Sequence, residues 1–87
     1  MTELNVVVKD KLGIHARPAA VIAKTASTFK SKITLELNGK TVLANSILQI
    51  MFLAAKRDDS IRICTEGEDE AEAAKAIEEI ISSEMPA

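Results

Sequence analysis

An α+β fold is predicted, with elements in the order β-α-β-β-α-β-α and a mainly antiparallel four-stranded sheet covered by helices on one face. Three observations predict it. Ile33, Leu35 and Leu37 alternate with Thr34 and Glu36 and run directly into Asn38-Gly39. Ala19, Ile22, Ala23 and Ala26 recur at helical spacing, as do Ala73, Ala74, Ile77, Ile80 and Ile81. The chain has 87 residues, which limits it to one domain, spanning 1–87, with one core and a shallow surface site.

The first strand is expected over Asn5–Lys9, on the β-branched run Val6-Val7-Val8. Lys9 to Gly13 is polar and turn-like. Pro18 suits the first turn of a helix, where its missing N–H costs nothing. That helix is expected to run for roughly three turns from near Ala16, with Phe29 continuing the inner face of Ala19, Ile22, Ala23 and Ala26. The alternating second strand ends at Asn38-Gly39, and Lys40-Thr41-Val42 returns as the third. Asn-Gly is the preferred centre of a two-residue hairpin because both residues accept positive φ.

Asn45 or Ser46 can cap a second helix by accepting a hydrogen bond from an N–H of its first turn. This helix is expected from Ile47 to about Ala55. Ile47, Ile50, Met51 and Ala54 share one face, while Leu48, Phe52 and Ala55 lie on others. A short helix apolar on several sides is either buried all round or shows a face to a partner, and in so small a domain the second reading is favoured. Ser60 to Thr65 is expected as the fourth strand, with Ile61 and Ile63 inward. Gly67 ends it. Glu68, Asp69 and Glu70 then open the last helix, where the positive end of the dipole favours acidic residues.

Composition removes several function classes. A hydrophobic content of 47% argues against disorder. The net charge of −2 gives a nucleic-acid backbone no bulk attraction, and the only aromatics, Phe29 and Phe52, leave little for bases to stack on. An RNA-binding domain of the β-α-β-β-α-β kind needs aromatics on its central strands, and none stands near Leu35 or Ile63. Cys64 is alone, so it can form no internal disulfide, and His15 is the only histidine, so a zinc cluster of Cys and His cannot be assembled. No metal or cofactor is expected. Met1-Thr2-Glu3 is no basic leader, and the longest apolar run, Ile50 to Ala55, is too short to span a bilayer. The expectation is a cytoplasmic chain without a membrane segment.

Chemistry concentrates at His15. It immediately precedes a helix start, whose first N–H groups lack internal partners and carry the positive end of the dipole. That field favours an anion beside the ring, and a neutral imidazole there is a nucleophile. Arg17, two residues on, offers planar donors that match phosphate oxygens. A nucleophilic ring, helix-start N–H groups and a guanidinium together suit a phosphoryl group carried on histidine. The bland alternative is a capping or surface histidine, the commoner role at such a position. A phosphate-ester hydrolase would need a positioned water and a second polar catalytic group, and the segment supplies no obvious one.

Gly13-Ile14-His15-Ala16-Arg17-Pro18-Ala19 resembles the active-site segment of the histidine-containing phosphocarrier (HPr) family of the bacterial phosphoenolpyruvate-dependent phosphotransferase system. The resemblance extends over nearly the whole chain, through Phe29 with Ser31, Asn38-Gly39-Lys40, Ser46-Ile47, Met51 with Leu53, and Gly67-Glu68-Asp69-Glu70. It implies an open-faced β-sandwich of four antiparallel strands and three helices. It implies that His15 takes a phosphoryl group on Nδ1 from phosphorylated enzyme I and hands it to a downstream acceptor of the enzyme IIA type, with Arg17 steadying the group. The chain would be a carrier in the relay, not an enzyme, and a monomer. Ser46 corresponds to the serine that a kinase modifies in part of the family, so a serine kinase or phosphorylase is a further implied partner. The implied docking surface surrounds His15 and includes Ile47, Leu48 and Met51 of the second helix, with Lys24 among its basic residues.

The chain departs from the family pattern at four positions. Asn45 stands where lysine is frequent, Gln49 where glycine is common, Phe52 where a small residue is common, and Asp58 where glycine is usual. Ala44-Asn45-Ser46 is more similar to the nitrogen-branch paralogue, NPr. A sugar-transport role is the expectation. The alternatives are a nitrogen-branch carrier and a regulatory paralogue acting through docking and Ser46 phosphorylation, and retention of His15 counts against the last.

Overall fold

Alternation of apolar and polar residues builds the sheet, and long-range pairing sets its limits. The computed structural model describes residues 1–84, so the last three residues of the expected 1–87 domain lie outside the described residues. The strands are β1 (Thr2–Val7), β2 (Lys32–Leu37), β3 (Lys40–Leu43) and β4 (Ser60–Glu66), and the helices are α1 (Ala16–Ala26), α2 (Ile47–Phe52) and α3 (Glu70–Ile81). The sheet order is β1-β4-β2-β3, every neighbouring pair antiparallel. Val6 faces Ile61, Ile63 faces Leu35, and Leu35 faces Val42, so one face of the sheet is a continuous aliphatic surface. The helices cover that face with Ile22, Ala23 and Ala26 of α1, Ile50 of α2, and Ala73, Ala74, Ile77 and Ile81 of α3. The other face is polar. There Arg62 lies 2.6 Å from Glu36 and 3.7 Å from Glu3, each on a neighbouring strand.

Several expectations hold to the residue. Asn38 and Gly39 have φ of 51° and 81° and turn β2 into β3. The first helix starts at Ala16 with Pro18 in its first turn. Others are corrected. The first strand is Thr2–Val7, not Asn5–Lys9, because β4 pairs with it residue by residue from Thr2, and backbone pairing extends past the β-branched run. Beyond Val7 the chain still bonds across, Val8 N–H to the Asp59 carbonyl at 2.9 Å. Phe29 is not on α1. The helix ends at Ala26, and Phe29 packs on the core from the following turn. The second helix stops at Phe52, short of Ala55, because Ala54 adopts a positive φ of 53°.

The acidic start of α3 fastens the chain ends of other elements. The Asp69 carboxylate accepts the N–H groups of Lys30 and Ser31, each at 2.9 Å, and the Ser31 hydroxyl. Glu70 accepts the Thr2 hydroxyl at 2.7 Å and the Gly67 N–H at 3.3 Å, and lies 2.9 Å from the Met1 ammonium. The Ser31 hydroxyl and the Lys30 N–H hold the Asp69 carboxyl below the usual carboxylate range. The Thr2 hydroxyl, followed by the ammonium and the Gly67 N–H, holds Glu70 down to about 2.

Candidate functional site

The segment between β1 and α1 is built to hold His15 in one place. Asp10 folds the first part of the loop. Its Oδ1 accepts the Leu12 N–H at 2.9 Å, and its carbonyl accepts the Gly13 N–H at 3.0 Å. Gly13 has a φ of 71° and lies so close to the connection between α2 and β4 that a Cβ on it would stand 2.2 Å from the Ala55 carbonyl oxygen. The same carbonyl accepts the Ile14 N–H at 3.0 Å, and the Ile14 side chain is buried. Two contacts with Ala55 therefore pin the loop immediately before His15.

His15 is the N-cap residue of α1, with extended backbone angles, and its carbonyl accepts the Ala19 N–H at 3.0 Å. Its side chain does not cap the helix. The ring is free of that local task and about one-third exposed, and its Nε2 lies 3.5 Å from Asp10 Oδ1. Arg17 is exposed in the first turn of α1, at the same end of the helix. Lys56 follows Ala55 and so borders the same loop. Lys24 is exposed in the last turn of α1, roughly 10 Å along the axis from Arg17 at 1.5 Å per residue. The structure thus brings Asp10, His15, Arg17 and Lys56 to one end of α1, and leaves Lys24 at the other.

Ser46 is the N-cap of α2, and its hydroxyl accepts the Gln49 N–H at 3.3 Å. The Gln49 side-chain oxygen accepts the Leu43 N–H at 2.9 Å, tying the helix back to β3. Ser and Gln three residues apart have the spacing of a capping box, but only the Ser46 half is made, since Gln49 reaches Leu43 and the Ser46 N–H points to the Leu43 carbonyl. α2 buries only Ile50, with Leu53 beneath its C-terminal end. Leu48 is 83% exposed and Phe52 66%, and Ile47 and Met51 are also exposed. Lys40 Nζ sits 4.9 Å above the Phe52 ring, which holds that ring at the surface. Phe52 therefore extends the apolar face formed by Ile47, Leu48 and Met51.

Asp10 was outside the sequence-derived site. The signal for it is weak: an acidic residue five positions before the histidine in a turn-forming loop. A polar cleft of about 320 Å³ at the C-terminal end of α1, lined in part by Ser27, Lys30, Lys32 and Asn45, does not include His15. Among the described residues no three His, Cys, Asp or Glu side chains gather in a metal-binding arrangement, and no helix is long and apolar enough to cross a membrane.

Comparison with known proteins places this geometry in a family context. A family model described as the phosphotransferase-system HPr component phosphorylation site matches residues 2–83. The crystal structure of HPr-C-His from Thermoanaerobacter tengcongensis is 43% identical, with a TM-score of 0.88 over 93% of this chain and 91% of that one. The phosphocarrier protein HPr of Bacillus anthracis is 41% identical, with a TM-score of 0.88 over 92% of this chain and 95% of that one. Crh, the catabolite repression protein of Bacillus subtilis, is 37% identical, with a TM-score of 0.74 over 93% of each chain, in a domain-swapped dimer.

Proposed function

The chain belongs to the HPr family of phosphotransferase-system phosphocarriers, and on that premise we propose that His15 is its phosphoryl acceptor. The group comes from phosphorylated enzyme I and passes to a downstream protein of the enzyme IIA type. The observation that carries this reading is the state of the His15 side chain: at a helix N-cap, yet not capping, and partly exposed at the same end of α1 as Arg17. In the transfer, the Nδ1 electron pair forms a bond to phosphorus while the bond between phosphorus and the donor breaks, its electrons leaving with the donor. The helix N-terminus and the Arg17 guanidinium stabilise the added negative charge. Handing the group on reverses the process and returns the ring unchanged, so the chain is a carrier and not an enzyme in its own right. Incubation with phosphoenolpyruvate and enzyme I should add one phosphoryl group, acid-labile and base-stable. His15→Ala should abolish it, and Arg17→Ala should slow transfer by roughly tenfold or more while leaving it measurable. Labelling of His15→Ala at the parent's rate would end the proposal.

The sugar-transport branch is the reading we favour for the acceptor, acting in the cytoplasm as a monomer. A second reading is motivated by Ala44-Asn45-Ser46, which resembles the nitrogen-branch sequence, and by the likeness to Crh. Presenting the phosphorylated chain with a sugar-specific and a nitrogen-specific enzyme IIA separates the two by which one drains the label. In the regulatory version, a kinase acts on Ser46 and docking replaces transfer.

A further inference from the structure

We propose that Asp10 is a positioning residue for His15: its carboxylate holds the Nε2 edge of the ring, leaves the electron pair on Nδ1, and balances the positive charge the ring gains on phosphorylation. This inference rests on the reading of His15 as the phosphoryl acceptor. Asp10 is only 6% exposed, and a carboxylate kept from water acts strongly on a charge beside it. Its Oδ1 accepts the Leu12 N–H and its backbone carbonyl the Gly13 N–H, and the same Oδ1 lies 3.5 Å from His15 Nε2. That is longer than a formed hydrogen bond, and contacts of this kind commonly tighten as the reacting group arrives. Both partners are held for it. Asp10 is fixed by its turn, and His15 by the pinning of Gly13 and Ile14 to Ala55.

With the proton on Nε2, facing the carboxylate, the neutral ring presents its electron pair at Nδ1. When Nδ1 bonds phosphorus and the donor departs with its electron pair, Nε2 keeps its proton and the ring becomes a phosphorylated imidazolium. Asp10 meets that charge without taking the proton, as the carboxylate does in a hydrolytic triad. When the group moves on, the N–P bond electrons return to the ring and the charge disappears.

Asp10→Asn keeps an acceptor for the Leu12 N–H and removes the charge. Its unfolding midpoint should match the parent. Its kcat for accepting phosphoryl groups from enzyme I should fall about tenfold, with KM within about twofold, because the α2 face is untouched. Asp10→Ala removes acceptor and charge together. In the unphosphorylated chain, ¹⁵N resonances of the ring should then show the share of Nδ1–H tautomer rising several-fold over the parent. A parent-like kcat in Asp10→Asn overturns the proposal, and so does an unchanged tautomer share in Asp10→Ala. If the parent accepts no phosphoryl group while the tautomer still shifts, the carrier reading falls and the Asp10–His15 pairing is supported.

Discussion

Gly13 decides where His15 can stand. Its φ of 71° already excludes most side chains, and the Ala55 carbonyl oxygen occupies the space a Cβ would take. Gly13→Ala should therefore cost at least about 1–2 kcal/mol from left-handed backbone alone, before the loop shifts to relieve the contact. We expect a lower urea midpoint together with slower phosphoryl transfer, since the shift is transmitted through Ile14 to His15. Ser46 poses a different question, because its hydroxyl already has a structural task at the start of α2. Ser46→Ala should cost roughly 0.5–2 kcal/mol through loss of the cap. Ser46→Asp retains a capping oxygen, so its stability should hold, but it places a negative charge beside the exposed α2 face and should slow transfer from enzyme I. Transfer kinetics equal to the parent's in Ser46→Asp, with destabilisation by Ser46→Ala, would leave capping as the supported role of this serine.

At the scale of elements, α2 is the one whose sequence pattern and structure need each other. Its apolar residues form no single stripe, which the sequence shows, but the sequence does not say which of them the core takes. The fold takes Ile50 and leaves Leu48 almost fully exposed. Apolar anchors at the centre of an interface commonly contribute more than ~1 kcal/mol each, so Leu48→Asp should raise KM for enzyme I about fivefold or more while the melting temperature stays near the parent's. A lowered melting temperature with normal transfer would instead assign Leu48 to the fold. The hairpin was legible because Asn38-Gly39 states its own backbone angles. α1 and α3 were legible because their apolar residues repeat at helical spacing. β1 was misplaced because its first residues gain strand character only from β4, more than fifty residues away in the chain. The end of α2 was misplaced because Ala54 takes a left-handed conformation that alanine does not advertise.

Across the whole molecule, local reading recovered the order of the elements, but the side-chain ties between distant segments were invisible to it. Asp10 and His15 meet only because the loop is folded against Ala55. The helix dipole alone accounts for acidic residues at 69 and 70, but the larger task of Asp69 and Glu70 is to join α3 to residues 30–31 and to the start of β1. These two carboxylates predict how the whole fold responds to acid. Glu70 has an ordinary pKa of 4.5 and is held at about 2 in the folded chain, and Asp69 is lowered from 3.8. The unfolded state therefore binds protons that the folded state refuses. Their stabilisation is fully present above the unfolded values, so it is intact near neutral pH. It should decline as pH falls below about 5 and be lost as Glu70 protonates near pH 2. Urea midpoints measured between pH 7 and pH 2 should show that decline. Glu70→Gln should be less stable than the parent at pH 7 and should show a shallower decline, because the group that titrates has been removed while the shape remains. If the two chains decline in parallel, the acid sensitivity resides in other carboxylates and the Glu70 tie contributes nothing to it.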